Sequence, residues 1–386
     1  MVVKVSKPEI NVREKISELD KPSGTAGQAM LAAETPQEQF NLISAGRRNL
    51  IFNGDMRIAQ RGTGAFTANG DRPVDRWQMI SNTTDFTTTQ DSTVPTGKGF
   101  TNSIKIQPTA TKSPSSSTYA RIGYSIEGYD GASLCWGTSG AKSATISFWV
   151  RASVTGIYSI GLKNAAANRS ICLEYTIDSA DTWEYKTITF PGVTDGTWEQ
   201  TTSRFCYIDV WQAGQGSQTS TIGTWQGQNV NMSSNQVNLF TSTSNTFYIT
   251  GFQMEVGKVA TPFEHLSYGE ELALCQRYYQ RFDADGQDFT NIGIAIATNS
   301  AWYVPIILPG GRMRADPALS YSAVGDFRVT LQHSNTNAVT SMMIGYSNPL
   351  HPNLSVQAGS NSASNGARMF GYGSSTTAWL AFDAEL

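Results

Sequence analysis

From residue 47 onwards, the chain carries short segments in which apolar and polar residues alternate, or which are apolar throughout. A period of two places successive side chains on opposite faces of a strand, and the Gly, Asn, Asp, Ser and Pro residues that bound each segment are typical of turns. Up to residue 268, the clearest segments are 103–106, 144–150, 157–162, 172–177, 186–190 and 246–249. This pattern predicts a jelly-roll β-sandwich of about eight strands over residues 47–268.

One segment, residues 269–283, has helical rather than strand spacing. Two glutamates lie at its start and two arginines near its end, an arrangement that suits the helix dipole. The apolar residues that fall on one helical face are Leu272, Cys275, Tyr279 and Phe282. We therefore expect a linking helix here.

The strand pattern resumes over residues 284–386. Its clearest segments are 292–296, 302–308, 327–331, 341–344 and 379–382. They predict a second, smaller domain, also a β-sandwich. The predicted fold class is therefore all-β: a jelly roll followed by a smaller C-terminal β-sandwich, with one linking helix between them.

The first 46 residues are more highly charged than the rest and contain two short helical patterns. Ile16 and Leu19 supply the apolar side of the first pattern, and Phe40 and Ile43 supply that of the second. Helices this short are unstable alone in water, so they need a surface to pack on. Two interpretations stay open: a flexible leader, or a short helical anchor that docks on a larger assembly.

The composition excludes several classes of protein. The chain has 386 residues, more than a single core usually holds, which predicts two or three domains. Lys and Arg total 28 against 31 Asp and Glu, and basic clusters are absent, which argues against a nucleic-acid partner. No apolar run is long enough for membrane insertion. The 4 cysteines are scattered, so we expect buried thiols and no structural zinc.

Two long segments, residues 210–254 and 332–367, contain no Asp, Glu, Lys or Arg. Ordinary solvent-exposed surfaces carry charge, so an uncharged polar surface with aromatic residues indicates contact with a neutral glycan or burial between subunits. Plain sandwich loops are the remaining interpretation. The candidates for stacking on the C–H faces of sugars are Trp211, Trp225 and Tyr346. The tryptophans within or beside strand patterns, where a place in the core is favoured, are Trp136, Trp149 and Trp183.

The sequence contains few of the motifs that mark catalytic sites. The motifs of zinc proteases, serine hydrolases and nucleotide-binding loops are absent, and the 3 histidines are isolated from one another. We therefore predict that the protein is not an enzyme and has no catalytic residue. The alternative is glycoside hydrolysis by two carboxylates held about 5–9.5 Å apart. Its candidates are the loop residues Asp181, Glu184, Asp195 and Glu199.

Calcium is the one ion that the sequence suggests. The first and last strands of a sandwich often lie side by side, which would bring Asn53 and Asp55 near Glu255. Calcium prefers carboxylate, amide and carbonyl oxygens, so these three residues are the candidate ligands. No other cofactor is indicated.

Several strings resemble segments of virion proteins from tailed bacteriophages. Three sets of strings are similar to the carbohydrate-binding-type jelly roll of these proteins. Its opening resembles RNLIFNGDMRIAQRG (48–62) with DRW (75–77), and its central strand resembles ATISFWVRA (144–152). Its closing strand and exit helix resemble FQMEVGKVATPFEH (252–265) with YGEELALCQRYY (268–279). Similar to other parts of phage fibres are GQAMLAAETPQEQF (27–40), before the receptor-binding domains, and LPGGRMRADPALSY (308–321), in the C-terminal domains.

This resemblance implies a bacteriophage tail fibre, a homotrimeric structural protein of the virion that is assembled in the host cytoplasm. It implies that residues 1–46 anchor the fibre to other virion proteins and that the β domains contact host surface glycans. The alternatives are a capsid (head) fibre or decoration protein, a polysaccharide-depolymerising tailspike, and a cellular carbohydrate-binding module.

Overall fold

The computed structural model describes residues 47–113, 119–214, 221–287, 290–297, 301–330, 336–358 and 367–386. Strands dominate these residues and helices are few, so the predicted all-β class is confirmed. The residues predicted to anchor the chain, which lie outside the described residues, are Ile16, Leu19, Phe40 and Ile43. In the part of the chain that is described, no helix has the length and apolar character needed to cross a membrane.

Two five-stranded sheets form a jelly-roll sandwich. In chain order its strands are β1 (Trp77–Ser81), β2 (Phe86–Asp91), β3 (Ser103–Pro108), β4 (Ala120–Glu127), β5 (Ala144–Ala152), β6 (Gly156–Asn164), β7 (Ser170–Ile177), β8 (Glu184–Phe190), β9 (Arg204–Ala213) and β10 (Phe247–Val256). The first sheet has the order β1-β4-β9-β6-β7, and the second has the order β2-β3-β10-β5-β8. Every pairing within them is antiparallel.

Strand β5 illustrates how the alternation builds the core between the sheets. Ile146, Phe148 and Val150 are fully buried there. Trp149 and Arg151 point the other way and are only half-buried. Each fully buried apolar side chain of this kind contributes about 1.5–3 kcal/mol of transfer free energy.

The start and the end of the sandwich lie side by side, as the sequence predicted. The Leu50 N–H donates to the Met254 carbonyl (2.9 Å), and the Phe252 N–H donates to the Gly54 carbonyl (2.8 Å). A Cβ at Gly54 would lie 2.1 Å from the Phe252 carbonyl oxygen, so only glycine allows this approach.

The remaining strands form a closed barrel with a small sheet beside it. In chain order they are β11 (Tyr279–Asp283), β12 (Asn291–Ala297), β13 (Trp302–Pro305), β14 (Ala318–Tyr321), β15 (Phe327–Thr330), β16 (Thr336–Tyr346), β17 (Asn353–Ala358), β18 (Ala367–Tyr372) and β19 (Trp379–Asp383). The barrel has the order β12-β13-β17-β16-β15-β18, and the small sheet has the order β11-β19-β14. Where the sequence predicted a second sandwich, the strands close around a core of their own. The domain limits stay predictions.

In the described part of the chain, two short α-helices interrupt the strands: α1 (Gly128–Gly131) follows β4, and α2 (Tyr268–Gln276) follows the sandwich. Ser267 and Glu270 form a capping box at the start of α2. The predicted linking helix over residues 269–283 is wrong in its last part, because Tyr279–Asp283 forms strand β11. The apolar residues of this stretch have helical spacing, but its pairing with β19, about a hundred residues later in the chain, makes it a strand.

Ion pairs join the sandwich to residues that follow it in the chain. Arg76 of the sandwich pairs with Glu385, and the two side chains are 1% and 4% exposed. Burial alone would raise the pKa of the Glu385 carboxyl, but Arg76 and two further arginines hold that pKa below its ordinary value. Arg277, just after α2, donates to the buried Glu127 of β4 (3.0 Å). The first pair joins Glu385 near the C-terminus to the sandwich, and the second joins the residues after α2 to it.

Candidate functional site

The two sheets of the sandwich differ in what lies on their outer faces. On the first sheet, residues 230–237, the covering segment, pack on the outer face of β6, β7 and β9. The Val237 N–H donates to the Ile157 carbonyl (2.9 Å), the Ser233 N–H donates to Ser159 Oγ (3.0 Å), and Ser170 Oγ donates to the Val230 carbonyl (2.8 Å). The covering segment therefore closes the part of this face formed by β6, β7 and the end of β9.

A buried carboxylate lies beneath the covering segment. Asp209 of β9 is 0% exposed and lies 3.0 Å from Arg121 and 3.2 Å from Lys163. Asn231 of the covering segment donates a hydrogen bond to it. Burial alone would raise the pKa of Asp209, but the two cations and this hydrogen bond hold that pKa below its ordinary value. The charges of this face are satisfied within the chain.

Trp211, predicted to stack on glycans, lies on this covered face, and that prediction is wrong. Its side chain is 0% exposed, with the Arg121 guanidinium 4.7 Å from the ring centroid. A sugar has no access to such a ring. The covering segment belongs to the charge-free stretch 210–254, and its residues 230–233 are buried inside their own chain, where an unpaired charge would be costly.

The outer face of the second sheet carries an aromatic pair. Trp149 of β5 lies directly opposite Tyr185 of β8 in the antiparallel register. Their ring centroids are 5.3 Å apart and their planes are inclined by 46°. Tyr185 is 44% exposed. We call this surface the open face and define it by Trp149, Tyr185, Tyr248, Lys98, Lys105 and Arg151.

The open face continues into a cleft of about 630 Å³, a volume typical of ligand sites. Its far wall consists of Phe100, Phe263 and His265, whose rings lie 4.9–5.2 Å from one another. Strand β10 has a bulge here, and Gly251 within it has a φ of 62°. A Cβ at Gly251 would lie 2.5 Å from the Phe100 ring, so the bulge needs glycine.

Three cations lie against the rings of the open face. Lys98 Nζ is 5.3 Å from the Trp149 ring centroid. Lys105 and Arg151 both contact the ring of Tyr248, at 5.9 and 5.3 Å. Arg151 also pairs with Asp181 (3.3 Å), whereas Lys98 and Lys105 form no ion pair with a carboxylate of the described residues. The open face therefore has an excess of positive charge beside the half-buried ring of Trp149 and the exposed ring of Tyr185.

The other two predicted glycan contacts lie elsewhere. Trp225 is half-buried in a cluster with Trp136 and Trp198, and its Nε1 donates to the Pro191 carbonyl (3.0 Å). Tyr346 is 68% exposed on the barrel, where it stacks on another tyrosine. The structure therefore does not bring Trp211, Trp225 and Tyr346 into one site.

The three predicted calcium ligands have different protein partners. Asn53 Oδ1 accepts from the Ile58 N–H (2.9 Å), and Asp55 pairs with Arg57. Glu255 accepts from the Thr261 N–H (3.0 Å). Among the described residues, no group of three or more His, Cys, Asp and Glu side chains is placed to hold a metal ion. Three of the four carboxylates proposed for hydrolysis pair with basic residues: Asp181 with Arg151, Glu184 with Lys186 and Asp195 with Arg169.

Sequence reasoning placed Trp149 in the core, which is wrong, and missed the aromatic pair, although β5 carries a signal for it. Because Ile146, Phe148 and Val150 define the core side, Trp149 has to point outward with Arg151. An aromatic residue on an otherwise polar strand face indicates a surface role. The exposure of Tyr185 follows only from its pairing with β5, which the sequence does not specify.

No family model and no curated protein matches this chain. Solved structures similar to it include the enzymatically active domain of tailspike protein 4 of bacteriophage CBA120, at 15% identity and a TM-score of 0.30. The match covers 54% of this chain and 21% of the tailspike structure, about a fifth of its length. TmCBM61 in complex with β-1,4-galactotriose is 10% identical, with a TM-score of 0.29 and coverage of 54% and 99%. The family 11 carbohydrate-binding module of the cellulase Lic26A-Cel5E of Clostridium thermocellum is 14% identical, with a TM-score of 0.25 and coverage of 53% and 98%.

Proposed function

We propose that this chain is a non-catalytic glycan-binding protein and that its open face holds the oligosaccharide. The observation that supports this most directly is the cross-strand pair of Trp149 and Tyr185 beside the cleft. One face of a pyranose ring presents C–H groups, which pack well on the flat face of an aromatic side chain. Two neighbouring rings inclined to each other suit a chain of sugars better than a single flat ligand.

Polar groups around the pair suit the hydroxyl groups of a sugar. Thr187 follows Tyr185 on the same face of β8 and is exposed. His265 is exposed at the wall of the cleft. Such side chains donate and accept hydrogen bonds at the rim while the aromatic rings supply the apolar contact.

A binding experiment tests this function directly. We expect Trp149→Ala to weaken binding on a glycan array, with affinity measured by calorimetry, by about tenfold or more, because loss of a buried aromatic contact costs at least about 1.4 kcal/mol. Tyr185→Ala is expected to act in the same direction. Tyr346→Ala is the matched control, since it removes an exposed ring from the barrel. Full binding by the Trp149→Ala, Tyr185→Ala double variant would refute the assignment, and loss of binding in Tyr346→Ala alone would move the site to the barrel.

We also propose that glycan binding serves host attachment by a bacteriophage tail fibre that is a homotrimer anchored through residues 1–46. Support comes from the strings that resemble phage fibre segments and from apolar side chains exposed on the barrel. Ile294, Ile296 and Met343 are 53%, 52% and 61% exposed, which is typical of a surface that another subunit covers. A head fibre, a depolymerising tailspike and a cellular binding module are the alternatives. Sedimentation tests the trimer, because three chains of 41.9 kDa differ clearly from one.

A further inference from the structure

We propose that the open face selects acidic oligosaccharides, whose sugar carboxylates are bound by Lys98 and Lys105. This inference rests on the glycan-binding function proposed above and specifies the class of glycan. It assigns the two lysines to recognition and the two rings of Trp149 and Tyr185 to stacking.

The register of the second sheet places the cations beside the stacking surface. Lys105 of β3, Tyr248 of β10 and Arg151 of β5 lie in one row across three strands. Trp149 is two residues before Arg151 on the same face, and its partner Tyr185 continues the neighbouring row. Lys98 reaches this neighbouring row from the loop before β3 and contacts the Trp149 ring. A sugar stacked on Trp149 would therefore meet a lysine on at least one side.

The two lysines differ from other lysines of the sandwich in their partners. The lysines paired with carboxylates are Lys112 with Asp85 (2.8 Å), Lys163 with Asp209 (3.2 Å) and Lys186 with Glu184 (2.6 Å). Lys98 and Lys105 have aromatic partners instead. A ring holds an ammonium group in place but leaves its charge uncompensated, so the N–H groups stay available to an anion.

Arg151 contributes less to the recognition of charge. Its guanidinium pairs with Asp181, so its charge is already largely balanced. The net positive charge of the open face therefore comes from Lys98 and Lys105. A carboxylate on a bound sugar would form charge-assisted hydrogen bonds with them, which are stronger than the neutral hydrogen bonds of a hydroxyl group.

The experiment is an array of immobilised galacturonan, alginate, hyaluronan and polysialic acid fragments, each with its carboxyl-reduced form, beside neutral galactan, xylan and cello-oligosaccharides. We expect the full chain to bind at least one acidic member and to bind its reduced form about tenfold less. Binding of the acidic member is expected to weaken with added salt, because exposed charges are screened.

Variants distinguish the contribution of the two lysine charges to binding from that of stacking on the aromatic rings. The Lys98→Gln, Lys105→Gln double variant is expected to lose about tenfold in affinity for the acidic member and to retain its affinity for the reduced form. Lys142→Gln removes one exposed lysine elsewhere on the sandwich and is the control. Trp149→Ala is expected to lose both forms.

The results of the array distinguish a failure of acidic selectivity from a failure of glycan binding. Equal binding of the acidic and reduced forms, binding confined to neutral members, or an unchanged affinity in the double lysine variant overturns the acidic selectivity and leaves the glycan-binding function standing. A chain that binds no member of the array overturns both.

Discussion

The two outer faces of the sandwich present cations in opposite ways. On the covered face, Arg121 and Lys163 converge on the buried carboxylate of Asp209. On the open face, Lys98 and Lys105 lie on aromatic rings without a carboxylate partner among the described residues. Both faces belong to five-stranded antiparallel sheets of one sandwich, so sheet geometry alone does not explain the difference.

Burial decides whether a charged side chain needs its partner within the chain. A cation that loses its water must be compensated inside the chain, because an unpaired buried charge costs several kcal/mol. A cation that keeps its water has no such need, so its partner can come from a ligand. Aromatic side chains diverge in the same way: Trp211 is fully buried on the covered face, whereas Tyr185 is accessible on the open face.

The largest effect is expected from breaking the charge cluster of the covered face. Asp209→Asn leaves Arg121 and Lys163 beneath the covering segment without their anion, and we expect a loss of about 3–5 kcal/mol in the free energy of unfolding. Urea unfolding followed by circular dichroism measures it. Asp181→Asn is the matched control on the open face, where side-chain exposures of 25% and 55% limit the loss to about 1 kcal/mol or less. Equal losses in the two variants would contradict the comparison.

A smaller effect is expected from displacing the covering segment. A Cβ at Gly161 of β6 would lie 2.1 Å from the carbonyl oxygen of Asn231, so Gly161→Ala has to move the segment. We expect a loss of about 1–3 kcal/mol in the free energy of unfolding and faster hydrogen exchange in residues 230–237. Gly227→Ala is the control, because a Cβ there meets no atom within 4 Å. Unchanged exchange in Gly161→Ala would show that the segment does not depend on this contact.

Strands β5 and β8 were both predicted from their alternation. The clear alternation of β5 and β8 arises because only their inner faces pack in the core. Strand β9 was missed, and its burial explains why: nearly all its side chains are buried, from Phe205 on the inner face to Trp211 under the covering segment. A strand buried on both sides loses the polar–apolar alternation that identifies strands in a sequence.

The missed features of the candidate site depend on contacts between distant parts of the chain. Whether Trp211 is accessible depends on residues 230–237 folding back over the sheet, which no local pattern around Trp211 specifies. The pairing of Trp149 with Tyr185 depends in the same way on the register of β5 and β8. The residue types in the sequence identified aromatic side chains as candidates for the binding site. The packing and pairing of distant strands and segments determine which of these side chains a ligand can contact.

The pH dependence of stability gives the smallest expected effect and tests the charge cluster of the covered face independently. Because the folded state holds the pKa of Asp209 below its ordinary value, the unfolded chain takes up a proton more readily than the folded protein as the pH falls. The stability from this carboxylate is therefore fully present above about pH 4, the ordinary value for Asp, and is lost as the pH falls through the lower folded pKa. Unfolding of the wild type and of Asp209→Asn, measured from pH 6 down to pH 3, should give free energies that approach each other at the acid end. Two curves that stay parallel would show that the carboxylate is not held by Arg121 and Lys163 as the covered face requires.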